Sequence, residues 1–266
     1  MRSNLRKKIL TVRDKSGTHR QTYYVADKPT LELAKGHTVP TTAPKDRASV
    51  HYGMLWSRDA NRGIDHALEA IGKTHKVPAN LYKIPIKVKG SMGGSNGTYE
   101  VYNRQGTNQI NVSKYAMGPA AVIAHEYGHF LDHHLFGTGK QRMSSMGTSK
   151  WSEHGGNPEM NGIMGALYSS KAARELVRKH KEHSADRDYM GKQRTEYLLM
   201  PAEMFARGYA QWIGTRSSPQ IRKEIQEYHE HWMTSGYHAQ WSDEDFAPIA
   251  REFDRLFAKR KLRRSV

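Results

Sequence analysis

Hydrophobic positions in this chain fall into a few separated patterns. Between Ser57 and about Lys76, the residues Ile64, Ala67, Leu68 and Ile71 recur at helical spacing, and Gly72 is a natural stop. The period then shortens. Ile84, Ile86 and Val88 alternate as a strand does, and a glycine cluster follows from Gly90 to Gly97. Thr98–Tyr102 and Gln109–Val112 read as two more short strands around a turn at 103–107. A helix is expected from Pro119, which suits a first helical turn, to about Leu135, with Gly137 and Gly139 ending it.

Further helices are expected at about Asn161–Glu182, Pro201–Ile213 and Gln220–Trp232. A last one runs from Asp243 to about Lys259, with Ser242 as its cap, acids in its first turn and bases in its last. On it, Phe246, Ile249, Ala250, Phe253, Leu256 and Phe257 form one apolar stripe, which suits packing on the chain's own core. Residues 137–158 read as a loop rich in Gly, Ser and Met. Residues 1–56 are polar and broken by Pro29, Pro40 and Pro44, so an irregular basic segment is expected there, with one short strand around Gln21–Val25. The organisation is therefore an N-terminal segment over 1–56, a core over 57–214, and C-terminal helices with a basic tail over 215–266.

Composition narrows the function classes. The 266 residues suffice for a buried core, and five Trp, fourteen Tyr and six Phe argue against disorder. The absence of Cys removes disulfides, thiolate zinc sites, iron–sulfur clusters and cysteine nucleophiles. The formal charge of +16 points to nucleic acid, an acidic partner, an anionic membrane surface, or solubility alone. No apolar run follows the basic start, so no secretory signal is expected, and no window resembles a transmembrane helix. A cytoplasmic protein without membrane contact is the expectation.

The chemistry concentrates in Ala124-His-Glu-Tyr-Gly-His-Phe-Leu-Asp-His-His134. His125 and His129 are one helical turn apart, so their imidazoles leave one face and can bind one Zn²⁺. Glu126, beside the first ligand, can serve as general base toward a water activated by the ion. With fifteen histidines in the chain, the bare pattern needs context. The preceding Ala120-Ala-Val-Ile-Ala124 sends this helix into a core, where two imidazoles and a carboxylate need partners. Gly128 in mid-helix costs about 1 kcal/mol relative to Ala, which close packing would explain. The stretch Asn108–Val112 is an edge-strand candidate on which a substrate chain could add as a strand.

A catalytic zinc ordinarily takes three protein ligands. Asp132 lies close enough in angle to be the third. Glu203, in the first turn of a helix begun by Pro201, is the better candidate, with Phe205, Ala206, Tyr209 and Trp212 available for packing. Asp132 then suits a supporting role, orienting a histidine N–H or pairing with Arg207. His133 and His134 are expected to face solvent. The pairs His180/His183 and His229/His231 are not read as a second metal site.

Three motifs, Ile110–Lys114, His125–His133 and Pro201–Arg207, together resemble zincin metallopeptidases whose third ligand is a glutamate. They look most like the large polyvalent protein-associated zincin domains of phages and mobile elements. The resemblance spans about Lys83 to Ile213. It implies His125, His129 and Glu203 as ligands of one Zn²⁺, Glu126 as base, and a protein or peptide substrate. For the fold it implies an α+β, zincin-like chain, with a small mixed sheet packed on the active-site helix in a three-layer arrangement and a mainly helical C-terminal half. Packaging in a phage particle follows only from this likeness. The pattern also departs from relatives: Asp132 and Leu135 stand where the metzincin extension would need Gly and His, and the insertion before Pro201 is long. The transition-state donor is left open among Tyr197, Tyr209, His154 and Arg207. The alternative function is a basic accessory protein, bound to DNA or an acidic virion component, whose zincin domain is structural or inactive. Its basic clusters lie at the two ends, around Arg2–Lys8 and Lys259–Arg264.

Overall fold

A computed structural model describes residues 5–14, 17–26, 41–53, 57–79, 81, 83–90, 92–101, 108–137, 145, 157–233 and 236–263. In chain order the strands and helices are β1 (Leu5–Asp14), β2 (Gly17–Ala26), β3 (Thr41–Thr42), β4 (Ala48–His51), α1 (Arg58–Thr74), β5 (Val77–Pro78), β6 (Ile84–Lys89), β7 (Gly97–Glu100), β8 (Gln109–Ser113), α2 (Pro119–His134), α3 (Asn161–Ser169), α4 (Lys171–Ala185), α5 (Tyr189–Leu199), α6 (Pro201–Ser217), α7 (Pro219–Met233) and α8 (Asp243–Lys259). The class is α+β and mostly helical, with one small mixed sheet. None of the helices among the described residues is long and apolar enough to cross a membrane.

The sheet runs in the order β4-β6-β8-β7. β4, β6 and β8 are parallel, and β7 closes one side antiparallel to β8, with Gly97 opposite Val112 and Tyr99 opposite Ile110. All five residues of β8 are buried, as befits a strand flanked on both sides. This corrects the expectation for Asn108–Val112: β8 is interior, and the edge beside the functional helix is β7. Strand order is set by pairing between distant segments, which a local alternation pattern does not encode.

The N-terminal expectation changes as well. β1 and β2 form a regular hairpin, pairing Leu5 with Ala26 through Asp14 with Gly17. β4, also within the stretch expected to be irregular, is a strand of the main sheet. Few strongly apolar residues mark these segments, but β-branched and aromatic types such as Ile9, Val12, Tyr23, Tyr24 and Val25 favour strands.

α2 lies between the sheet and α6, with α1 alongside. It is buried nearly all round, from Ala120 through Ile123, Tyr127 and Phe130 to His133. Gly128 is where α2 meets α6: a Cβ there would sit 3.1 Å from Ala206 Cα and from Tyr209. Gly128→Val should therefore push the two helices apart, lowering stability by about 1–3 kcal/mol in a denaturant melt. The same core continues into the C-terminal helices. Trp212 on α6 stacks on Phe253 and Phe257 of α8 at 5.4 and 4.7 Å between ring centroids. The stripe expected on α8 is buried in full.

Two helices that read as one are separate. Ser170 breaks the run between α3 and α4 by turning to an extended backbone, and its hydroxyl caps Ala173 N–H. Asp245 of α8 accepts the next two donors, Lys171 N–H and Ala172 N–H. α5 was not expected. Asp188 starts it by accepting from Gly191 N–H, and Pro201 stops it by opening α6.

Candidate metal centre

α2 and α6 bring the two distant motifs together. His125 Nε2 and His129 Nε2 lie 3.2 Å apart. The Glu203 carboxylate takes the third corner, with Oε2 3.3 Å from His125 Nε2 and Oε1 3.2 Å from His129 Nε2. For an ion about 2.0–2.1 Å from each atom of a tetrahedral set, neighbouring ligand atoms stand about 3.3–3.4 Å apart. The observed triangle fits one face of that tetrahedron, so these residues fit a zinc-like divalent cation. Glu126 is also near, with ligand-type atoms of His125, Glu126 and His129 all within 4.8 Å of one another. Its greater distance leaves it beside the triangle, which suits a base better than a ligand.

No family model, curated protein or solved structure matches this chain. The residues must therefore speak through their own chemistry.

The electrostatics favour a cation. Burial pushes the Glu126 carboxyl above its usual range, against the pull of His125 and His129. Burial would raise Glu203 too, yet hydrogen bonds and charges from His125 and His129 outweigh it and hold that carboxyl far below the usual range. Burial opposes a proton on His129, but the Glu203 hydrogen bond and the charges of Glu203, Glu126 and Asp132 overcome this and raise its proton affinity. Buried carboxylates thus form a well of negative potential around two imidazoles.

The sheet edge holds Glu126 in place. The Tyr99 backbone N–H on β7 donates to its carboxylate. Gly97, two residues earlier and therefore on the same outward register, stands where a Cβ would collide with Val122 and come within 3.0 Å of Glu126 Oε1. The bare backbone there lets β7 close onto α2. At the other end of the helix, Glu224 of α7 accepts the Ala121 N–H at 2.8 Å, supplying the cap that Gly118 lacks.

A cleft of about 560 Å³ opens over this centre. Its walls include Gly97 on β7, Val122, His125 and Glu126 on α2, Arg194 and Tyr197 on α5, Glu203 and Arg207 on α6, and Glu224 and His231 on α7.

The candidates for supporting roles divide clearly. Tyr197 faces the centre. Burial, then the charge of Glu203 and a hydrogen bond to it, then the charge of Glu126, push its hydroxyl well above the ordinary value, so it stays a proton donor. Tyr209 points into the core, where its hydroxyl bonds His75 Nε2 at 2.7 Å. Arg207 donates to the carbonyls of Ala239 and Leu198, and it stacks over Trp241 at 5.2 Å. Burial draws its guanidinium down to about 10, against the opposing charge of Glu203. It therefore braces the cleft wall and does not pair with Asp132. Asp132 instead accepts the Ser145 backbone N–H at 2.8 Å and the Ser145 hydroxyl, while its charge reaches His129. His154 lies outside the described residues.

His133 departs from expectation. It is buried, and Tyr99 on β7 bonds its Nδ1 at 2.8 Å; His134 contacts Asn108 at 2.5 Å. Both tie the helix to the sheet instead of facing solvent. His183 pairs with Asp188 at 2.8 Å and His180 with Thr195 at 3.1 Å, ordinary contacts between α4 and α5. Arg194, Glu224 and Gln240 escaped the sequence reading, and no local pattern marks them: each reaches the cleft only through the packing of α5, α7 and the segment after α7.

Proposed function

We propose that this chain is a zinc-dependent peptidase that hydrolyses peptide bonds in a protein or peptide substrate. The observation that carries the reading is the triangle of His125, His129 and Glu203 atoms at 3.2–3.3 Å, with Glu126 beside it. Zn²⁺ held by those three residues would polarise the scissile carbonyl and acidify the attacking water.

The chain's own groups supply the rest. Glu126 accepts a proton from the water as its oxygen adds to the carbonyl carbon, then returns that proton to the amine as the C–N bond breaks. Its raised proton affinity suits both halves of this transfer. The Tyr197 hydroxyl, protonated beside Glu203, is placed to donate to the oxygen on which charge develops. A substrate segment laid along β7 would meet the outward backbone at Gly97, one register position from the Tyr99 N–H that holds Glu126. The strand-addition role expected for 108–112 thus passes to β7.

The reading is tested by metal content together with cleavage of an unfolded protein by wild-type and variant chains. The two tyrosines separate within that test. Tyr197→Phe should lower kcat about 10²-fold with stability nearly unchanged, as loss of a transition-state donor does. Tyr209→Phe should leave kcat unchanged and cost about 1–3 kcal/mol of stability, since its hydroxyl serves His75 in the core.

A further inference from the structure

The charge around the cleft bears on what enters it. Two guanidinium groups, Arg194 and Arg207, and three carboxylates, Glu126, Glu203 and Glu224, line its walls. That is a formal −1, which becomes +1 with a divalent cation in place. The carboxylates are also committed. Glu203 bridges the two imidazoles, Glu224 takes the Ala121 N–H, and Glu126 takes the Tyr99 N–H. The guanidinium side is less fully answered. Arg207 is only 4% exposed, its Nη atoms meet main-chain carbonyls, and its buried Nε–H has no acceptor. A buried cation served by carbonyls alone favours an anion nearby.

Both cations lie on one wall. Arg194 and Tyr197 are three residues apart on α5, with the guanidinium 5.8 Å from the ring centroid. Arg207 reaches the carbonyl of Leu198, the residue after Tyr197, from α6 below. The tyrosine proposed to assist the reaction is therefore flanked by positive charge on the side opposite β7. An anion settling there would be held close to the scissile bond.

We infer that the wall formed by Arg194 and Arg207 receives a substrate carboxylate next to the bond that is cut, so that the preferred substrate is an acidic peptide. This rests on the peptidase reading above. The carboxylate has two sources, an Asp or Glu side chain within the chain or the free C-terminus of a short peptide. A guanidinium fork suits either.

The test uses the full-length Glu126→Gln protein loaded with Zn²⁺, which binds peptide without cutting it, and titration calorimetry. The probes are hexapeptides blocked at both ends that carry either a central Glu or Gln, and the Gln peptide with a free C-terminal carboxylate. At least one carboxylate-bearing peptide should bind about tenfold or more tightly than the blocked Gln peptide, the scale of one charge-assisted hydrogen bond. Adding Arg194→Gln should abolish that preference, and Arg194→Lys should retain part of it. Tighter binding of the Glu peptide assigns the pocket to an internal acidic side chain, and tighter binding of the free-acid peptide assigns it to a C-terminus. Equal affinities for all three peptides, or a preference that Arg194→Gln leaves intact, would overturn the inference. Turnover of the same peptides by the wild-type chain is read separately. No cleavage alongside Arg194-dependent binding removes the peptidase reading and leaves the carboxylate pocket standing.

Discussion

Glu126→Gln should lower kcat for peptide hydrolysis about 10²–10⁴-fold while the protein keeps its bound metal and its KM. The substitution preserves volume. Its amide oxygen can still accept the Tyr99 N–H, so α2 and β7 stay joined. What is lost is a group able to take a proton and give it back. Burial makes the native carboxyl a stronger base than a solvated glutamate, so the whole loss should appear in kcat. The check is steady-state cleavage of an unfolded protein substrate, with metal measured on the same preparation. A variant with full activity and full metal would show that Glu126 is not the base.

Glu203→Ala should remove bound zinc under conditions in which Asp132→Asn retains it. Glu203 supplies one of three corners and is the anion paired with both imidazoles. Its loss leaves two neutral ligands at a buried position, with no charge to compensate the ion. Asp132 acts at one remove, through Ser145 and through its charge on His129. Loss of such a supporting group typically weakens a metal site about 10–100-fold, and loss of a direct ligand should exceed that. Competition against a chromogenic chelator measures both. Equal zinc affinities for Glu203→Ala and the wild-type chain would strike Glu203 from the ligand set.

The local parts of this site were legible in the sequence because they are written in one helix. Pro119, the Ala-Val-Ile run and the His-Glu-x-x-His spacing fix the start of α2, its burial and the common face of two imidazoles, and the helix observed is Pro119–His134. Pro201 likewise fixed the start of α6, and with it the position of Glu203 in the first turn. Gly128 carried a real signal, since the close approach it suggested is the contact with Ala206. Non-local features were hidden. That β7 and not β8 lies at the edge depends on pairing among four strands. That Tyr209 serves His75 while Tyr197 serves the cleft depends on which way α5 and α6 pack, and both are tyrosines near the same motif. The break at Ser170 depends on Asp245, seventy-odd residues away, capping the first turn of α4. His133 seemed a surface residue because its partner Tyr99 lies on a strand whose order in the sheet could not be read.

The most direct measurement is elemental analysis of purified full-length protein, with the His129→Ala variant beside it. The account predicts one zinc per wild-type chain and none in the variant, because His129 Nε2 lies within 3.2 Å of both other corners. A wild-type chain that takes up no divalent metal even when zinc is supplied, or a variant that holds it as firmly as the wild type, would contradict it.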